Sequence, residues 1–191
     1  VKQDSIIKMV VVLTVICIVA AFGLANVYNM TKEPIEQQKR LEMIKAIKSV
    51  LPTATVNDPL KDKVVLGNRD IYVGKDQSGK FTGIALKSSS PAGYSGAIDI
   101  MVGVNSANDS VFKVVILSMT ETPGLGAKIS ETKFLKQFDG KNMNNSKWKV
   151  KKDGGDIDQI AGATISPRAV TSAVYQALKF YTENKSKILT N

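Results

Sequence analysis

Twenty consecutive residues, Met9 to Tyr28, carry no charge: MVVVLTVICIVAAFGLANVY. Nothing else in the chain limits its fold as sharply. As a helix rising about 1.5 Å per residue, this run is about 30 Å long, the thickness of a bilayer's hydrocarbon core. Lys8 on one side and Lys32 with Glu33 on the other can reach headgroups, and Tyr28 stands where an interfacial aromatic belongs. A cleaved signal peptide is the competing reading, with Lys2 and Lys8 as its charged start and Gly23-Leu24-Ala25 as a small-x-small cleavage site. The run is long for a signal peptide, so it is read as a transmembrane helix. The expected organisation is a short tail at 1–8, the span at 9–28, a linker and helix at 29–52, and one folded domain at 53–191. Lysine and arginine are more numerous just after the span (Lys32, Lys39, Arg40, Lys45) than before it (Lys2, Lys8). A literal positive-inside count places the domain in the cytoplasm, but long folded domains translocate largely regardless of charge.

The roughly 160 residues beyond the span suffice for one globular domain. A net charge of +9 points to an anionic partner: nucleic acid, lipid headgroups or a phosphate-bearing cofactor. The lysines are spread along the chain and no nucleic-acid-binding signature occurs, so no nucleic-acid partner is expected. Histidine is absent and Cys17, inside the apolar run, is the one cysteine. That excludes histidine-based triads, histidine-ligated zinc or haem, and any disulfide within the chain. Carboxylates, hydroxyls, lysines or a borrowed cofactor must carry the chemistry.

Apolar periodicity over 34–50 (Ile35, Leu41, Ile44, Ile47, Val50) predicts a helix that ends before Pro52. Alternating segments at 63–66, 70–74, 80–87, 97–104 and 111–117 predict strands, separated by turn residues close enough for antiparallel pairing. A short helix is expected at 131–139 and a strand at 147–151. Ser166 as N-cap and Pro167 as first helical residue open a last helix with an apolar stripe of Val170, Ala173, Val174, Ala177, Leu178 and Tyr181. The fold class is α+β: a transmembrane helix, then a mainly antiparallel sheet flanked by helices.

Three segments are candidates for chemistry. The first is Asp158-Gln159-Ile160-Ala161-Gly162-Ala163-Thr164. Gly162 and Ala163 leave room for a ligand, and Thr164 offers a hydroxyl near the start of the last helix, where unpaired N–H groups favour a phosphate. Ser166 lies in that helix start, and Arg168 can add a charge-assisted bond. A plain strand-to-helix connection fits the same residues. The second is Glu121-Thr122-Pro123-Gly124-Leu125-Gly126-Ala127-Lys128, a turn bare enough to lie against a flat ring, or an ordinary turn. The third is Ala92-Gly93-Tyr94-Ser95-Gly96, where Tyr94 can stack on a cofactor or plug a sheet edge; Trp148 is equally ambiguous and fits the core.

Together these residues resemble the FMN-binding domain shared by the G subunit of Rnf complexes and the C subunit of Na+-translocating NADH:quinone oxidoreductases. That family's motif runs Asp-x-x-Ser/Thr-Gly-Ala-Thr, matched here by Asp158, Gly162, Ala163 and Thr164, with Ala161 in place of the Ser/Thr. The Glu-Thr-Pro-Gly-Leu-Gly loop at Glu121–Gly126, the Gly-Tyr-Ser-Gly turn and the N-terminal span also match. The short chain is more similar to the Rnf G subunit than to the longer C subunit of the quinone oxidoreductases. The resemblance implies FMN joined through its phosphate to Thr164, and contacts from Glu121, Thr122, Leu125 and Gly126, with Lys128 and Arg168 as further candidates. It implies a domain on the extracytoplasmic side of the cell membrane and maturation by a flavin transferase. The partners would be other membrane and redox subunits, a second membrane flavoprotein among them. The function implied is electron carriage in a complex coupling ferredoxin:NAD electron transfer to Na+ or H+ movement. A flavoprotein of the quinone-oxidoreductase type, a membrane-anchored scaffold without cofactor, and an anchored hydrolase are the rivals. Absence of histidine disfavours the last.

Overall fold

The computed structural model describes residues 2–189, with side chains from Ile6 onward. It divides into two compact units, Val1–Glu42 and Met43–Asn191. The first unit is made of helix α1, Lys2–Val50, whose last two turns belong to the second. Two helices, one ending near Tyr28 and one starting at Pro34, are expected from the sequence; the structure has one, and the expected tail at 2–8 is helical too. Nothing in Asn29–Glu33 breaks a helix, and the Thr31 hydroxyl donates back to the Val27 carbonyl at 2.8 Å. Pro34 lies inside the helix, where it lacks the N–H that would reach the Met30 carbonyl. The side chains of the uncharged run are exposed (Phe22 and Leu24 at 72%), and the helix is long and apolar enough to cross a membrane.

The second unit is built on a five-stranded antiparallel meander in the order β1-β2-β3-β4-β5. The strands are β1 Lys63–Leu66, β2 Arg69–Lys75, β3 Phe81–Ser90, β4 Ile98–Asn105 and β5 Ser110–Ser118. The turns are those the sequence marks: Gly67 adopts φ +62°, and Asp76 accepts from the Ser78 and Lys80 amides to close its loop. Both faces of the sheet are covered. Ile71, Val73, Ile84, Leu86, Ile100 and Val102 face a core shared with the last helix, while Tyr72, Ala85 and Met101 pack on Ala46, Ile47, Val50 and Leu51. Gly103 lets the end of α1 press in, because a Cβ there would run into the Val50 carbonyl.

Between β5 and the last helix the chain makes a 3-10 turn (Gly126–Ser130), helix α2 (Thr132–Leu135) and a second 3-10 turn (Lys136–Phe138). The helix expected at 131–139 is therefore a single α turn running into a 3-10 turn. The strand expected at 147–151 does not form. Val150 bridges only Ile157, and Lys151–Asp153 close a further 3-10 turn ending at Gly154 with φ +80°. The lysines flanking Val150 face water, so this segment has no second buried face to lengthen a strand. Helix α3 spans Ile165–Leu189 and buries Val170, Val174, Leu178 and Tyr181, each worth roughly 1.5–3 kcal/mol. It starts one residue before the expected N-cap: the Arg168 amide donates to the Thr164 carbonyl, so Ser166 lies inside the helix.

Antiparallel order brings the end of β3, the start of β4 and the end of β5 to one edge, where Asp99 pairs with Ser118. The Ser88 hydroxyl donates to the Ala173 carbonyl and ties the N-terminal half of α3 to that edge. The 91–97 loop, the 119–126 loop and the start of α3 thus converge.

Candidate functional site

Where they converge there is a hollow of about 260 Å³ lined by Tyr94, Glu121, Thr122, Leu125, Gly126 and the run Gly162 to Ser166. Its floor is polar. Glu121 is 7% exposed; its Oε1 accepts from the Tyr94 amide at 2.8 Å and the Ser95 amide at 3.3 Å, and its Oε2 accepts from Ser166 Oγ at 2.7 Å. Three donors satisfy a carboxylate that would otherwise be costly to bury. Its mouth is apolar and open to solvent: Tyr94 is 70% exposed, Leu125 45% and Ile165 42%.

Each wall has a local cause. The Leu125 and Ala127 amides both donate to the Thr122 carbonyl, and Gly124 takes φ +77°, so the chain folds tightly and presents little side chain. A Cβ on Gly126 would run into Glu121 Oε2 and Ser166 Oγ, so only glycine leaves that bond intact. On the opposite wall the Ala163 amide donates to the Ile160 carbonyl, closing a four-residue turn. Gly162 sits third with φ +76°, the position where such a turn demands glycine. Ala161, where the motif resembled has a hydroxyl, is an exposed residue of that turn. Thr164 follows, half-buried at the threshold of α3, and its hydroxyl makes no hydrogen bond among the described residues.

Eight of the candidates from sequence, Glu121, Thr122, Leu125, Gly126, Gly162, Ala163, Thr164 and Ser166, line the hollow together, and Ser166 is bonded to Glu121 there. Three do not line it. Lys128 is exposed on the 3-10 turn. Asp158 is exposed and pairs with Lys151 at 2.5 Å. Arg168 is engaged elsewhere: Nε and Nη2 both donate to Asp153, each at 2.6 Å. That fork holds the Asp153 carboxyl below its ordinary range, chiefly through the hydrogen bonds Arg168 donates, and raises the guanidinium in turn. Two residues join the site that sequence does not single out as ligands. Tyr94 reads equally well as a stacking residue or an edge plug, and Ile165 reads as lying outside the helix it begins. Trp148 is half-buried against the core, its indole N–H donating to the Asn142 carbonyl, away from this site.

The cradle suits a flat ring with a phosphate tail. Bare backbone at Gly162 leaves room for a ring, apolar side chains stand at the rim, and a hydroxyl stands beside a helix N-terminus, where an anion is favoured. Comparison with known sequences points the same way. Residues 93–179 match the FMN-binding domain family, and that stretch contains all the lining residues. The chain is 36% identical to the G subunit of the ion-translocating oxidoreductase complex of Aliivibrio fischeri, over 96% of this chain and 93% of that one. Identity to the corresponding protein of Pseudomonas aeruginosa is 35%, over 98% and 94%. Among solved structures, it is similar to the C subunit of the Na+-translocating NADH-quinone reductase from Parabacteroides distasonis, with 25% identity, a TM-score of 0.47, and 64% and 63% of the two chains covered.

Proposed function

The chain belongs to the family formed by the G subunits of ion-translocating oxidoreductase complexes, and on that premise we propose that its hollow holds one FMN joined by a phosphoester to Thr164 Oγ1. The observation that carries this reading is the position of Thr164. It is the one residue of the hollow that combines an unengaged hydroxyl with the threshold of a long helix. FMN, when bound, supplies electron-transfer chemistry that a chain without histidine or a cysteine pair lacks. The residues of the chain bind and orient it. The first turn of α3, with N–H groups at Ile165 and Ser166 outside the intrahelical ladder, favours the phosphate charge. Gly162 keeps its wall clear, Gly126 leaves room for the Glu121–Ser166 bond, and Tyr94, Leu125 and Ile165 shield the ring from water on their side.

The protein would pass electrons between neighbouring centres of a complex that couples ferredoxin:NAD electron transfer to Na+ or H+ movement. Its partners would be the other membrane and redox subunits, a second membrane flavoprotein included, and a flavin transferase would load it. The apolar run of α1 would span the membrane once, with Met43–Asn191 on the extracytoplasmic side. The test is colour that survives unfolding: protein from cells with an active flavin transferase, precipitated in acid and washed, retains flavin absorbance and in-gel fluorescence. Complete loss of colour on precipitation would leave FMN binding standing and remove the covalent link. A colourless native protein would favour a cofactor-free scaffold.

A further inference from the structure

Among the described residues, Glu121 is the one buried carboxylate in the second unit. It lines the hollow, yet both its oxygens are already engaged by groups of the protein. Oε1 holds the Tyr94 and Ser95 amides, 27 and 26 residues away, and Oε2 holds the hydroxyl of Ser166, 45 residues away. The socket is shaped around it on both sides. A Cβ on Gly93 would stand 2.8 Å from Oε1, and one on Gly126 would collide with Oε2. A further bond from Thr120 Oγ1 to the Ser95 carbonyl, 2.9 Å, seats the same loop beside it. One side chain therefore joins the loop bearing Tyr94, the Thr122–Gly126 loop, and α3 at a point two residues beyond Thr164.

We propose that Glu121 is a positioning residue: its carboxylate fixes the start of α3, and with it the Thr164 hydroxyl, at a set distance from the Tyr94 wall, and it is not itself a ligand of the ring. The proposal rests on the FMN reading of the hollow for what is being positioned, and on geometry alone for the tether.

The test uses the full chain in detergent, made with and without a flavin transferase, as wild type, Glu121→Gln, Glu121→Ala and Ser166→Ala. In the unloaded protein Glu121→Ala should raise amide exchange at Tyr94 and Ser95 by about tenfold or more and lower the melting midpoint by roughly 5–10 °C. In the loaded preparation the fraction carrying FMN should fall about tenfold, because misplacing an acceptor by a fraction of its reach costs on that order. Glutamine should rescue both: its amide oxygen can take the Tyr94 and Ser95 amides while its NH2 donates to Ser166 Oγ. Ser166→Ala, which cuts one arm, should fall between. Unchanged exchange at Tyr94 in Glu121→Ala, or a glutamine variant as poorly loaded as the alanine one, would overturn the proposal. The exchange arm needs no flavin, so an error in the FMN reading alone would show as an unloaded wild type with its tether intact.

Discussion

The two walls of the hollow use charge in opposite ways. On the 121–126 wall the charged group is inward: Glu121 is buried, hydrogen-bonded through both oxygens, and joined to both neighbouring segments. On the 158–168 wall the charged groups turn outward: Asp158 pairs with Lys151 and Arg168 with Asp153, all at the surface. What remains facing the hollow on that side is small or neutral: Gly162, Ala163, Thr164 and Ile165. A cluster of charges around a motif therefore divides by burial. The inward group shapes the site, and the outward ones pair with one another at the surface.

Substitutions that act on the inward wall should cost most. Gly126→Ala forces a methyl between Glu121 Oε2 and Ser166 Oγ, and is expected to destabilise by about 2–3 kcal/mol in chemical denaturation. A loss within error of zero would mean the Glu121–Ser166 bond is loose. On the outward wall, Gly162→Ala asks an L-residue to hold φ +76° with Leu125 Cδ2 3.3 Å from the new methyl, so about 1–2 kcal/mol is expected, together with reduced FMN loading. Equal costs at the two glycines would erase the contrast between the walls.

The surface pairs should matter least to stability. Arg168→Ala is expected to shift the melting midpoint by only roughly 1–2 °C at neutral pH. Because the folded-state carboxyl of Asp153 lies below its unfolded value, the pair stabilises above the ordinary carboxylate range and loses that contribution as pH falls through the folded value. The difference between wild type and Arg168→Ala should accordingly be present at pH 7 and shrink below about pH 4; a difference that grows in acid contradicts the assignment. Asp158→Asn should leave the midpoint unchanged while FMN loading falls, the signature of recognition by the loading enzyme. Unfolding of this variant at lower temperature would make Asp158 structural instead.

The strands were legible because their apolar residues alternate and turn residues separate them; Lys63–Leu66 matches to the residue, and the others differ by one to three at an end. Helix α3 was legible from its stripe, though its expected first residue, Pro167, was two residues late, since Ser166 has the chemistry of an N-cap and spends it on Glu121 instead. Local sequence carries no trace of that bond, because its two ends lie 45 residues apart. The same holds for the Arg168–Asp153 fork, which removes Arg168 from the hollow its position in the helix had promised. Ile165 escaped notice for a related reason: an apolar residue before Ser-Pro reads as the end of a connection until the helix is seen to begin there. The continuity of α1 through Pro34 was masked by reading the proline as a start signal, although every residue from Asn29 to Glu33 tolerates a helix.

The intact mass of the full chain, from cells that contain a flavin transferase, tests the link between the Thr164 hydroxyl and FMN most directly. The wild type should gain the mass of one FMN less one water, located by peptide sequencing on the fragment that contains Gly162–Thr164, and Thr164→Ala should show the bare chain while still folding. An unmodified wild-type mass, or the same increment retained by Thr164→Ala, would contradict it.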